Sequence, residues 1–397
     1  CNETRGRQCH PGRSINGNFN DMNVLVAGDF CDRYRVTEEI ARGGYALLFD
    51  NIATIVEQAD FSIVNFEFPI VLHEEKSIAK CGPCLQGQHA AVDAVKYAGF
   101  DVCTLANNHI LDYGTTCCLD TKRLLEEDGI KTVGIGENLS RAADILYLKK
   151  ENETLAIINC CEHEFSIATE ETAGANPLNP IQQYYKIQEA RQSADYVLVI
   201  VHGGHEYYQL PSPRMKETYR FFIDAGADAV INHHQHCYSG YEEYKGKPIF
   251  YGLGNFLFDN LNERSGPWTE GYMVSLHFSG ATCSYELYPY TQCAVYPSVA
   301  PMGITERKIF EERIEELNRI IADDGRLREA FEAWVQKTAK AWLAVFEPYD
   351  SRLSRGLFSH GLLPSFVSKK KKLRIRNYLN CESHLDRLRG CVSKWNA

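Results

Sequence analysis

Val102-Cys103-Thr104-Leu105-Ala106-Asn107-Asn108-His109 starts as a short β-prone apolar run and ends in two amides and an imidazole. Val102–Leu105 reads as a buried strand, and Leu119–Glu127, followed by Gly129, reads as the helix that comes after it. The same pattern recurs on both sides. Val24–Ala27 is a strand that leads into Asp29, and Phe61–Phe66 is a strand that carries Asn65 and leads into Glu67. Thr154–Cys160 leads to His163, Tyr196–Val201 to His202, and Ala229–Ile231 to His233, His234 and His236. Lys131–Gly134 and Pro248–Tyr251 add two more strands. Helices are expected at Tyr45–Gln58, with Phe49, Ile52, Ile55 and Val56 on one face, at Ala90–Ala98 before Gly99, and at Pro213–Ala225 before Gly226. Strands alternating with helices predict an α/β layered fold.

In open α/β sheets the ligand crevice lies beyond the carboxyl ends of the strands. Six separate strands here end in carboxylate, amide or imidazole. Taken singly, each residue has a plain structural reading: Asp29 as a cap or turn residue, Asn107 and Asn108 as turn formers, His234 and His236 as loop histidines. Taken together, they would need a separate explanation each. Carboxylate oxygen, amide oxygen and imidazole nitrogen jointly suit borderline divalent ions such as Mn, Zn or Fe, whereas Mg uses few or no imidazoles. One carboxylate could bridge two ions, and a free His109 could protonate a leaving group. Asp112, three residues on, is placed to orient the His109 ring, and Glu206, four after His202, to bind substrate or water; a structural hydrogen bond is the alternative for both.

Several strings resemble the CapA/PgsA capsule and poly-γ-glutamate synthesis family. They are Gly28-Asp29, Asn65-Phe66-Glu67-Phe68-Pro69, the run from Leu105 to Gly114, His202-Gly203-Gly204-His205-Glu206-Tyr207, His233-His234-Gln235-His236 and the run from Lys247 to Phe256. The resemblance spans about 23 to 260. That family is similar to the calcineurin-like metallophosphoesterases, which implies a four-layer α/β/β/α sandwich. It implies Asp29, Glu67, Asn108, His202, His234 and His236 as metal positions and His109 as the motif histidine beside the metal asparagine; His109 and, from the spacing, Asp112 are the candidate catalytic residues. Asn65, His163, Glu206 and Asn255 lie beside the motifs as candidate substrate contacts. The chain departs from the wider pattern at Cys31, where a histidine is usual, at Glu67, where Asp is usual, and at Asn232, where Gly is usual. One tight ion, or two of unequal affinity, is the expectation. The function implied is a metal-dependent phosphoester hydrolase-like enzyme of capsule biosynthesis, acting on a phosphorylated, glutamyl or glycan-type substrate. The alternatives are a non-catalytic subunit that joins other polymer-synthesis proteins, and a glutamyl amide-bond enzyme.

With 397 residues and a formal net charge of -10, the chain has ample material for a core and is a poor general binder of nucleic acid or an anionic membrane. No apolar run is long enough to span a bilayer. Residues 1–21 read as a disordered polar leader, residues 22–300 as the main domain and 301–397 as a helical C-terminal region. Within that region Phe310, Ile314, Leu317 and Ile321 mark one apolar face, and the basic run at 369–376 reads as a solvated helix face, with a phosphate-binding patch as the alternative. The 15 cysteines, with adjacent pairs at 117/118 and 160/161, do not look like a secreted disulfide framework. A cytoplasmic setting is expected, the alternative being a lipid anchor on Cys1. Cys81-Gly82-Pro83-Cys84 matches a thioredoxin-type motif in letters, but its polar flanks lack the strand and helix that such chemistry needs.

Overall fold

Hydrophobic alternation in the strand Met22–Cys31 sets the layering. Met22, Val24 and Val26 point into one apolar cluster, while Leu25 and Ala27 point into another on the opposite face. The first cluster also takes Ile63, Val102, Leu155, Leu198, Ile200 and Ile231, so it lies between two sheets. The second is completed by helical residues such as Val36, Ile40, Val92, Val95 and Leu125, so it lies between the first sheet and its helices. Burying one such side chain is worth roughly 1.5–3 kcal/mol, and the two clusters together hold the layers in place.

The computed structural model describes residues 21–380 and residue 384. The expected leader, apart from Asp21, and the Cys1 alternative lie outside the described residues. The eight-stranded sheet runs in the order Val299–Pro301, Thr282–Gln292, Glu270–Ser279, Met22–Cys31, Phe61–Phe66, Val102–Thr104, Lys131–Val133, with Asn255–Phe258 paired onto Met22–Cys31. Its last four strands are mutually parallel. The six-stranded sheet runs Tyr241–Tyr244, Lys247–Phe250, Ala229–His233, Tyr196–His202, Glu153–Cys161, Leu146–Lys150, with a parallel centre. The helices Pro180–Arg191 and Pro213–Asp224 cover its outer face, burying Ile187, Ala190, Tyr219 and Phe222. This is the expected α/β/β/α sandwich.

Three details differ from the sequence reading. The stretch expected as one helix from Tyr45 is split into Tyr45–Phe49, a 3-10 turn at Asp50–Ile52, and Ala53–Val56. Asp50-Asn51 interrupts it, since both side chains favour local backbone bonds over helix. The helix Pro180–Arg191 was not read, because it buries Gln183 along with Ile187 and Ala190 and so shows little apolar period. Its start is nevertheless well marked: Asn179 accepts from the Ile181 and Gln182 amides, with Pro at the first helical position. Finally, the chain divides into two compact units between Asp323 and Asp324 rather than near 300. The helix Ile304–Ala322 stays with the first unit because Phe310 and Ile314 join the inter-sheet core, where Phe310 packs 4.9 Å from Tyr238. The second unit contains the helices Asp324–Leu343, Arg352–Ser359 and Lys369–Asn380. No described helix is long and apolar enough to cross a membrane.

Candidate functional site

The parallel strands of the two sheets bring their carboxyl ends to one edge. In the first sheet Asp29 pairs in register with Asn65 on one side and Asn255 on the other. In the second, His202 pairs with His233 and with Cys161. A register shift between Val26 and Asp29 turns the strand end, and Gly28 permits it: a Cβ there would lie 1.9 Å from the Gly254 carbonyl oxygen. After the strand Ala229–His233 the chain turns through His234 at φ 92 and His236 at φ 53. Left-handed backbone at two non-glycine residues costs about 1–3 kcal/mol each and is concentrated at functional sites.

These turns bring together side chains from both sheets. Oε1 of Glu67 lies 3.6 Å from Nε2 of His202 and 3.6 Å from Nε2 of His236. Asp29 lies 3.9 Å from Nδ1 of His202 and 3.8 Å from Nδ1 of His236. His234 Nδ1 is 3.1 Å from His202 Nε2, which also meets Asn108 Oδ1 at 3.0 Å. Two sets of ligand atoms fall within 4.8 Å of one another: Glu67, His202 and His234, and Asp29, Glu67 and His236. Glu67 belongs to both. Its carboxylate is fully buried, and neither oxygen has a hydrogen-bond partner among the described residues. An orphaned buried carboxylate facing imidazoles at 3.6 Å is too far for hydrogen bonding and suitably placed to share a cation. The cluster fits a divalent metal, and the mixed oxygen and nitrogen donors suit one of borderline type.

The electrostatics follow from burial. Desolvation pushes Asp29 up to about 6, against the pull of His236 and the hydrogen bond from Asn65. It pushes Glu67 well above the carboxylate range, with the Asp29 charge adding to it. It lowers His202 far below its ordinary value, and His234 to about 3, with neighbouring histidines adding to both. Neutral imidazoles are the form that binds metal.

Further residues hold these ligands. Asn65 donates to Asp29 Oδ1 at 2.7 Å and lies 3.2 Å from His202 Nδ1. Asn255 Oδ1 lies 2.9 Å from His236 Nδ1, and its amide donates to the His236 and Trp268 carbonyls. Both asparagines are fully enclosed, and their hydrogen bonds hold the Asp29 and His236 side chains in place. His163 is exposed in the loop after Glu153–Cys161 and lies outside the cavity lining. Its neighbour Glu164 takes that place, accepting from Asn108 Nδ2 at 2.8 Å. Cys31 packs in the apolar cluster on the helix side of the sheet, and burial pushes its thiol far up, so it does not replace the missing histidine. Asn232 is structural, accepting from Tyr219 at 2.6 Å and donating to the Gly203 carbonyl at 2.8 Å.

His109 sits beside the cluster, with Nδ1 2.6 Å from Asp112 Oδ2. A proton on Nδ1, donated to that carboxylate, leaves the Nε2 lone pair free. Burial lowers His109, partly offset by Asp112. Lys80 completes the arrangement: its side chain is 1% exposed, forms an ion pair with Asp112, and lies 3.2 Å from His109 Nδ1. Sequence reasoning missed it, because it falls in a loop with no period. A cavity of about 390 Å³ opens here, with Lys80, His109, Glu164, Phe165, Glu206 and Trp268 among its walls. Glu206 is at the exposed mouth, and Tyr207 stacks on Trp268 at 5.7 Å. Cys81 and Cys84 are free and lie in the loop that carries Lys80, without the strand and helix of a thioredoxin-type motif.

Comparison with known proteins gives consistent results. A family model described as "Bacterial capsule synthesis protein PGA_cap" matches residues 23–260. The "Capsule biosynthesis protein CapA" of Bacillus anthracis is 34% identical over 246 residues, 60% of this chain and 60% of that protein, so the match leaves part of its length unaccounted for. The "PGA biosynthesis protein CapA" of Bacillus subtilis is 30% identical over 316 residues, covering 77% of this chain and 81% of that one. Among solved structures, a phosphatase from Mycoplasma pneumoniae superimposes with a TM-score of 0.41 at 13% identity, covering 73% of this chain and 97% of that one. On the extent of the family match, this chain belongs to the bacterial capsule synthesis family PGA_cap.

Proposed function

We propose that the chain is a metal-dependent hydrolase-like enzyme of capsule or cell-surface polymer biosynthesis, with phosphoesters as the leading substrate class. Asp29, Glu67, Asn108, His202, His234 and His236 would hold one divalent ion, or two of unequal affinity, of the Mn, Zn or Fe type. Glu67 carries this reading: its carboxylate is buried, unpartnered and common to both ligand groups. A bound ion would supply Lewis-acid polarisation of a substrate oxygen and a lowered pKa for water. The chain's own residues do the rest. His109 takes or gives a proton at Nε2, while Asp112 fixes its ring and Lys80 holds Asp112 in an ion pair. Phe165, Tyr207 and Trp268 wall the cavity against bulk water, and Glu206 meets substrate at its mouth. Thiols packed as small hydrophobes at 117/118 and 160/161 support a reducing, cytoplasmic setting.

The test is elemental analysis of purified protein with a screen of phosphoesters against γ-glutamyl peptides. Bound Mn, Zn or Fe is expected, absent from a His202→Ala, His236→Ala variant, with turnover of phosphoesters. Protein that contains no metal and takes none up on titration would sink the reading. Metal without turnover of either class would leave a binding subunit and remove the enzyme.

A further inference from the structure

From Ser351 to Asn380 the chain carries Arg352, Arg355, the Lys369–Lys372 run, Arg374 and Arg376, and no Asp or Glu at all. The whole chain has 52 Asp and Glu against 42 Lys and Arg, so these eight cations form one acid-free stretch of an acidic chain, with Glu347 the carboxylate held against it. An even mixture of charge would give a solvated surface. A segment with one sign only makes a local positive field that the net charge of the protein conceals.

The same segment leaves large apolar side chains in solvent. Leu353 is 73% exposed, Leu362 70%, Phe366 66% and Leu373 61%. They do not hang from a slack chain. Tyr349 packs its ring 5.3 Å from Phe358 and 6.0 Å from Phe366, and donates its hydroxyl to the Pro364 carbonyl at 2.5 Å. The Phe366 amide donates to Glu347 at 2.7 Å. The fold therefore holds Phe366 in water. Isolated exposed apolar residues need no explanation, but several within one acid-free segment do.

We propose that the C-terminal unit docks on an anionic membrane surface, with Leu362, Phe366 and their neighbours entering the headgroup and acyl boundary and the Lys369–Lys372 run pairing with lipid phosphates. Cations and apolar side chains interleaved in one segment are what an interfacial site requires. A soluble polyanion, nucleic acid included, would satisfy the cations and leave the leucines and Phe366 in water. Lysine and arginine stems lie along apolar surface while their heads stay at the phosphates, so the two groups do not compete.

The test is co-sedimentation of the full chain with vesicles at about 0.1 M salt, where screening acts beyond roughly 10 Å. Binding is expected to vesicles about one-third phosphatidylserine and not to pure phosphatidylcholine. Each lysine contributes about fivefold to partitioning, so Lys369→Gln, Lys370→Gln, Lys371→Gln and Lys372→Gln together should lower it at least 100-fold. Leu362→Ser with Phe366→Ser, which keeps every charge, should lower it about tenfold or more. All six positions are exposed, so circular dichroism should be unchanged. No binding to anionic vesicles overturns the proposal. So does full binding by the Leu362→Ser, Phe366→Ser variant, above all if polyphosphate competes equally well, since the surface would then be a polyanion site.

Discussion

Two carboxylates in the first unit are equally inaccessible to water and quite differently treated. Asp259 is fully buried, and Arg35 approaches it with its backbone amide and Nε at 3.0 Å and with a second guanidinium nitrogen at 2.9 Å. Arg264 adds a second ion pair. Burial alone would raise Asp259, but these donors hold it below the ordinary range. Glu67 is equally inaccessible and has no donor among the described residues, and the Asp29, Glu206 and Asp112 carboxylates push it further up. When a chain buries a carboxylate for architecture, it supplies the donors itself. When it withholds them, the lone pairs are reserved for something from outside.

That contrast can be broken in four ways, beginning with the largest effect. Asp259→Asn leaves two guanidiniums without their counter-charge and should cost about 3–5 kcal/mol, measured by denaturant unfolding, with metal content unaltered. If metal is lost as well, the two regions are not independent. Stripping the metal from wild-type protein should lower stability by about 4 kcal/mol when the free ion had stood at a thousand times its Kd, and Asp259→Asn protein should lose the same amount. A melting temperature indifferent to chelation would place no ion at Glu67. Asn255→Ala removes the acceptor 2.9 Å from His236 Nδ1 and should weaken metal binding about 10–100-fold by titration calorimetry. Unchanged affinity would mean the ring orients without it. The smallest effect sharpens the contrast most. Burial and the Asp29 charge push Glu67 up and so favour its neutral form in stripped protein, and Glu67→Gln should therefore change stability by less than about 1 kcal/mol while weakening metal binding. A cost near that of Asp259→Asn would make Glu67 an ordinary structural carboxylate.

The sequence made much of this legible. Asp29, Glu67, Asn108, His202, His234 and His236 were recognisable because each follows or ends a short apolar run, and the structure brings all six together. The link between His109 and Asp112 was readable from a spacing of three. What Asn65 and Asn255 touch was not legible, since an amide beside such a motif looks the same whether it faces the cavity or the far side of a neighbouring Asp29 or His236 side chain. His163 was named from the sequence, but the path of its loop brings Glu164 to the cavity wall and leaves His163 outside it. Lys80 gave no signal. A lysine in a polar loop is ordinary until its ammonium is seen enclosed with Asp112.

The sequence by itself determined the order of strands and helices and the kinds of donor at each strand end, because apolar period and its interruption are local properties of the chain. Only the tertiary structure decided that two sheets face each other so that Asp29 and His236 lie 3.8 Å apart, and that left-handed turns at His234 and His236 aim both rings inward. Whether a buried polar group is satisfied depends on neighbours distant in sequence. For that reason Asp259 and Glu67, each at the end of a short apolar run in the sequence, differ so sharply in the fold.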